Sequence, residues 1–169
     1  MKIYYSTTTV YLEYKYKMNS QVAILYFPKK TFSHRFGEKF FTFEITKYTN
    51  DDINDYLYCC YSQATFYHIL VSCGKDSWSI RKRYSDFVNL RGNIIQDISK
   101  SNSNSDIPIL PPKTFISIIN DETSLLQRKE LLEQWLQTLL EYLSSNHLLQ
   151  LKCIRNFLGF IENEDTFTD

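Results

Sequence analysis

Two features of this 169-residue chain predict an α+β fold, with a three-stranded antiparallel sheet packed against a helical subdomain. Between Lys39 and Arg83 the apolar residues alternate with polar ones, as in half-buried strands, and after Tyr84 they recur at helical spacing. A proline-rich segment, Ile107-Pro108-Ile109-Leu110-Pro111-Pro112-Lys113, interrupts the helical part and imposes an extended, polyproline-like path that reads as a strut.

Residues 1–38 form a Tyr-rich extension in which Val10, Leu12, Tyr14 and Tyr16 share a face, and Val22 to Phe27 can form a short strand ended by Pro28. The first strand of the main unit places Phe41, Phe43 and Ile45 on one side and Thr42, Glu44 and Thr46 on the other. The polar stretch Asn50 to Asp55 reads as the turn or loop that follows it. A second strand is expected over Thr65 to Cys73, with Gly74-Lys75-Asp76 as a hairpin turn. The third strand alternates Trp78 and Ile80 with Ser77 and Ser79 and ends at Arg83.

Phe87, Leu90, Ile94, Ile95 and Ile98 then mark one face of a helix, which Ser85 or Asp86 can cap. The Ser/Asn-rich stretch Ser99 to Asp106 reads as a loop. Phe115, Ile116, Ile118 and Ile119 follow the prolines without helical caps on either side. Ser124 and Gln127 fit a capping box for a second helix, whose Leu132, Trp135, Leu136, Leu139 and Leu143 form a stripe directed at the sheet. Arg128 would lie in its first turn, where a cation opposes the helix dipole, so its position suggests a ligand or a buried carboxylate. After Ser144-Ser145-Asn146 a last helix draws on Leu148, Leu151, Ile154, Phe157, Leu158 and Ile161, with His147 as a capping or surface residue. One main domain, residues 39–162, is expected, followed by an acidic tail, residues 163–169.

With 19 basic and 19 acidic residues the chain has no formal net charge, which argues against a nucleic-acid binder. Anion recognition in such a chain must be local. There is no GxSxG, Walker or HExxH motif, and four glycines in all leave no phosphate-cradling glycine loop, so no enzyme is expected. Asp121-Glu122 reads as helix-start stabilisation rather than as a catalytic carboxylate pair. Cys59, Cys60, His68 and Cys73 lack zinc-site spacing, and reduced structural thiols in a reducing compartment are the expectation, with no metal and no cofactor. The apolar run Val22 to Phe27 is too short to span a bilayer, so a protein made in the cytosol is expected.

The densest positive charge is Arg81-Lys82-Arg83, at the junction between the third strand and the first helix, with Tyr84-Ser85-Asp86-Phe87 next. Fixed cations beside a helix N-terminus favour a bound anion, although such a cluster can also be a solvated edge that deters strand pairing. In order along the chain come Arg83-Tyr84-Ser85-Asp86-Phe87, then Pro108 to Lys113, then Gln127-Arg128-Lys129-Glu130 opening a leucine-rich helix. Together these segments resemble the PX (phox-homology) domain over about Lys39 to Glu162, roughly three quarters of the chain. A PxxP segment alone could equally be a ligand for an SH3 groove, which makes a protein-interaction module using Pro108 to Pro112, with little or no lipid specificity, the alternative reading.

The resemblance implies a membrane-targeting module that binds phosphoinositides, phosphatidylinositol 3-phosphate first among them. It assigns Arg83 to the 3-phosphate, Tyr84 to the face of the inositol ring, Lys113 to the 1-phosphate and Arg128 to the 4- and 5-hydroxyls. Arg81 and Lys82 would add unspecific attraction to anionic lipid. In the family the loop corresponding to Phe115, Ile116, Ile118 and Ile119 dips into the bilayer; the same residues could instead pack against the helices. Without a BAR-type coiled region, the chain most resembles a short, PX-only sorting nexin. That implies peripheral attachment to endosomal or vacuolar-type membranes and a cargo, trafficking or coat partner.

Overall fold

The alternation of large apolar and short polar residues from Phe40 onward generates a twisted sheet whose inner face is almost wholly aromatic and aliphatic. A computed structural model of the chain describes residues 16–18, 24–53, 62–99, 106–112 and 122–162. In chain order its strands are β1 (Tyr16–Met18), β2 (Leu25–Tyr26), β3 (Phe40–Ile53), β4 (Ser62–Cys73), β5 (Asp76–Arg83) and β6 (Phe160–Glu162). Its α-helices are α1 (Tyr84–Ser99), α2 (Glu122–Ser145) and α3 (Lys152–Leu158). The main sheet runs β2-β3-β4-β5, and β1 and β6 pair in parallel as a separate ribbon.

The α+β class is as expected, but the main sheet has four strands, not three. The added strand, β2, runs parallel to β3, with Leu25 opposite Phe40 and Tyr26 opposite Phe41. Burial drives this pairing: Ile24 is fully buried, and Tyr26 lies against the rings of Phe41 and Phe43. The segment Val22 to Phe27 therefore contributes its strand to the main sheet rather than to a separate element.

The turn expected at Asn50 to Asp55 is corrected as well, since β3 continues through Ile53. A bulge between Ile45 and Lys47 shifts the register by one, so that Ile45 faces Ile69 whereas Lys47 faces His68. Beyond it Asn50 pairs with Thr65, whose hydroxyl donates to the Asn50 side chain at 2.8 Å, and Asp51 pairs with Ala64. At the other end Cys73 faces Asp76 across the two-residue Gly74-Lys75 turn, with Gly74 at φ 58°, the primed-turn geometry in which glycine comes first.

Phe41, Phe43, Ile45, Tyr67, Ile69, Val71, Trp78 and Ile80 form the sheet's side of the core, and Phe87, Leu90, Ile94 and Ile98 are the buried face of α1. The stripe read for the second helix is all inside: Leu132, Trp135, Leu136, Leu139 and Leu143, joined by Leu125 and Leu140. Truncating one of these leucines to alanine would cost about 2–5 kcal/mol. The expected capping box is corrected, because the helix already includes Glu122, and Ser124 lies inside its first turn. Arg128 is then in the second turn, where the dipole argument made for it loses most of its force. The last helix is shorter than expected. It stops at Gly159, in the left-handed region, whose N–H reaches the carbonyls of Arg155 and Asn156, and Ile161 belongs to β6. Leu148 and Leu151 precede the helix, and His147 occupies the turn before it with φ 58°. The Trp78 indole donates to the Leu158 carbonyl at 2.8 Å, which fastens this reversal to β5.

Candidate functional site

Strand geometry separates the three consecutive cations at the end of β5. Successive side chains point to opposite faces. Arg81 and Arg83 both lie over the Phe66 ring, at 4.2 and 5.8 Å from its centroid, whereas Lys82 lies on the other face, 5.2 Å over Phe157. Asp51, in the part of β3 beyond the bulge, forms an ion pair with Arg81. Arg83 thus stands nearest the start of α1. Its backbone N–H donates to Asp86 Oδ2 at 2.6 Å, so Asp86 secures the helix start by reaching back from within the first turn. Ser85 also lies within that turn, exposed.

A cavity of about 380 Å³ opens at this corner, lined by Arg83, Tyr84 and Ser85 with Ala64, Thr65 and Tyr67 from β4, Val88 and Asn89 from α1, and Arg128 from α2. Two guanidinium groups far apart in sequence meet at one opening. Arg128 is half-buried and its guanidinium carbon sits 5.8 Å from the centroid of the Tyr84 ring. The Tyr84 hydroxyl donates to the Pro111 carbonyl at 2.7 Å, tying the cavity wall to the proline segment. That segment is held twice more, with Arg91 Nε and Trp135 Nε1 donating to the Pro108 carbonyl at 3.0 and 3.3 Å. Ile109 between these anchors is 85% exposed.

Of the residues singled out from sequence, Arg83, Tyr84 and Arg128 therefore line one cavity, while Arg81 and Lys82 stand apart from its lining. Lys113, Phe115, Ile116, Ile118 and Ile119 lie outside the described residues, as do Cys59 and Cys60. Sequence reasoning did not reach Tyr67, Thr65, Val88 or Asn89, which share the cavity. Val88 and Asn89 fall on the polar side of the α1 pattern, one turn after Ser85, and that spacing was the available signal.

The described residues contain no group of metal-ligating side chains. Cys73 is buried, and its thiol lies 3.0 Å from the Glu38 carbonyl, to which it donates. His68 instead meets the Thr49 hydroxyl at 3.0 Å. No helix among the described residues is long and apolar enough to cross a membrane.

The sequence profile of the PX domain matches residues 70–160. The chain belongs to the PX domain family, whose members are generally phosphoinositide-binding, membrane-targeting modules without catalytic activity. Among solved structures it is similar to a designed CISK-PX domain, at 28% identity and a TM-score of 0.54, over 69% of this chain and 96% of that one. The mouse SNX19 PX domain with bound sulphate ion has the same fold at 17% identity and a TM-score of 0.50, over 70% of this chain and 95% of that one. A comparison with curated proteins finds no match.

Proposed function

We propose that this PX domain recognises phosphatidylinositol 3-phosphate and thereby attaches its chain to endosomal or vacuolar-type membranes, where it serves trafficking as an adaptor. The observation that carries this reading is the convergence of Arg83 and Arg128 on one cavity walled by Tyr84. A ring phosphate offers a compact dianion that a planar guanidinium can grip through two parallel hydrogen bonds, which is the role of Arg83. Arg128 offers a second fork to the vicinal 4- and 5-hydroxyls, a placement that an added 4- or 5-phosphate would crowd. Tyr84 presents its ring to the C–H face of the inositol. Lys113 meets the 1-phosphate at the end of the proline strut, and side chains among Phe115, Ile116, Ile118 and Ile119 enter the bilayer beside it.

The anchoring of the Pro108 and Pro111 carbonyls by Arg91, Trp135 and Tyr84 supports the strut over an SH3 ligand, because a peptide docked in a foreign groove needs its backbone accessible. Flotation of the protein with vesicles carrying each phosphoinositide in turn, at matched total charge, tests the reading. Selective flotation with phosphatidylinositol 3-phosphate is expected. Equal flotation with every anionic vesicle, or with none, would overturn it.

A further inference from the structure

Four phenylalanines ahead of and at the start of β3 lie outside the core cluster and meet one another instead. Phe27 touches Phe36 and Phe40 with ring centroids 5.4 and 5.3 Å apart, and Phe36 touches Phe40 at 5.8 Å and Phe32 at 6.4 Å. Phe36 is 43% exposed, and so nearly is Leu25, which β2 sets opposite Phe40. The same stretch carries Lys29, Lys30, Arg35 and Lys39 against a single acid, Glu38, in a chain without net charge. Lys29 is paired with Glu44, whereas Lys30, Arg35 and Lys39 are exposed and form no ion pair with any described residue.

This basic, aromatic lobe is clamped to the sheet. His34 Nδ1 donates to the Gly74 carbonyl at 2.9 Å, the Gly74 N–H to the Phe40 carbonyl at 3.2 Å and the Cys73 thiol to the Glu38 carbonyl at 3.0 Å. Gly74 allows the approach, since a Cβ there would stand 3.1 Å from the Glu38 backbone. Between the lobe and the sheet is a second cavity, lined by Phe32 and His34 on one side and Thr42, Leu70 and Ser72 on the other. At about 210 Å³ it is smaller than most small-molecule pockets and suits a single side chain. A preformed anchor pocket beside exposed apolar surface and uncompensated charge is the arrangement of a protein-docking site.

We infer that the lobe built from Phe27 to Phe40 docks an acidic peptide segment of a partner protein, whose carboxylates meet Lys30, Arg35 and Lys39 while one apolar side chain packs against Phe36 and the cavity beside Phe32. The lobe lies at the Cys73 end of β4, and the headgroup cavity at the Thr65 end, about 26 Å away along the strand. The Tyr84–Pro111 bond keeps the proline strut at the headgroup end as well. A bilayer engaged there leaves the lobe free, so lipid and partner can be held together. This preference for a protein over a membrane rests on the phosphoinositide reading above, whereas the lobe itself does not.

The probes are short fluorescein-labelled peptides, one of glutamate and serine alone, one with a central leucine added, and one with lysine in place of glutamate. Anisotropy titration of the full chain should show binding of both glutamate peptides, tighter with leucine and weaker in high salt, and none of the lysine peptide. Amide shifts should concentrate at Lys30, Arg35, Phe36, Gly37, Lys39 and Ser72. Arg35→Glu with Lys39→Glu should weaken binding about tenfold, the scale of two exposed ion pairs, at an unchanged melting temperature. Phe36→Ser should abolish the advantage of leucine. Saturating phosphatidylinositol 3-phosphate vesicles should leave the peptide affinity as it was. Absence of binding, or shifts centred elsewhere, would overturn the inference. So would tighter peptide binding after deletion of residues 163–169, which would assign the lobe to the chain's own acidic tail, or an equal loss of phosphatidylserine-vesicle binding in the charge-reversed variant, which would assign it to the membrane. If the wild type ignores every phosphoinositide vesicle and still binds the leucine peptide at Phe36, the lipid reading fails and the docking surface stands.

Discussion

Replacing Arg83 with glutamine removes a guanidinium whose structural duties are slight. Its side chain is exposed, its ring contact with Phe66 is shared with Arg81 at closer range, and the bond that secures α1 comes from the backbone N–H of residue 83, which glutamine retains. Stability should therefore move by no more than about 0.5 kcal/mol, as for other surface changes. Binding should respond far more. Truncating one partner of a desolvated, hydrogen-bonded charge pair costs about 2–5 kcal/mol, and the openness of the site at Arg83 places the expectation at the lower end, about 2–3 kcal/mol. At about 1.4 kcal/mol per tenfold, that is roughly a 30- to 150-fold loss of affinity for phosphatidylinositol 3-phosphate vesicles. The assay is a vesicle titration beside a thermal melt, with phosphatidylserine vesicles of equal charge as reference. A folded Arg83→Gln protein that binds within about threefold of wild type would refute the assignment of this guanidinium to the phosphate.

Arg91→Met should leave the fold intact and weaken vesicle binding about fivefold, the scale of one hydrogen bond, because the Pro108 carbonyl loses one of its two anchors; the effect should vanish in a Lys113→Ala background. Burial, reinforced by Glu38 and Asp76, pushes the Cys73 thiol up to about 12, so Ellman's reagent at pH 8 should leave it unmodified until the protein is unfolded, and prompt native-state labelling would contradict the buried geometry. Burial, then Lys47 and Arg81, lowers the His68 pKa against the opposing pull of Asp51. The folded state then resists the proton that the unfolded chain accepts below about pH 6.5, so the stability contributed by neutral His68 is present above that pH and lost as pH falls through the folded pKa. Denaturation midpoints measured across that window should fall less steeply for His68→Gln than for wild type.

The inner face of the fold was legible because its pattern is local. Phe41, Phe43 and Ile45 keep strand phase, Phe87 to Ile98 keep helix phase, and both fell where expected. The errors came where local phase breaks. Thr46 sits at the bulge, so after it the inward residue becomes Tyr48 rather than Lys47, and a reader following odd positions meets Lys47, Thr49 and Asp51 and infers a loop. The short strand within Val22 to Phe27 was legible, but its membership in the main sheet was not, for a different reason. Leu25–Tyr26 is only two residues long and owes its place to a parallel pairing and to aromatic contacts with β3, neither of which leaves a periodic trace. The start of α2 was misread because Ser124 and Gln127 satisfy the capping spacing by composition while the helix already runs through them.

For the site, the resemblance supplied a set of residues, and the geometry supplies the reason why Arg83, Tyr84 and Arg128 line one cavity while Arg81 and Lys82 do not. A chain with no net charge cannot attract an anion by its overall field, so selectivity must come from where individual cations are sent. Strand alternation turns Lys82 toward Phe157, the bulge brings Asp51 into register to engage Arg81, and Arg83 is left beside the α1 terminus. Arg128 arrives from α2, delivered by the leucine stripe that fixes the rotation of that helix on the sheet. The basic cluster read as one feature in the sequence is thus divided among three environments. On the proposed reading, the lipid meets the product of that division, two guanidinium forks across one opening, rather than the sum of the cluster's charge.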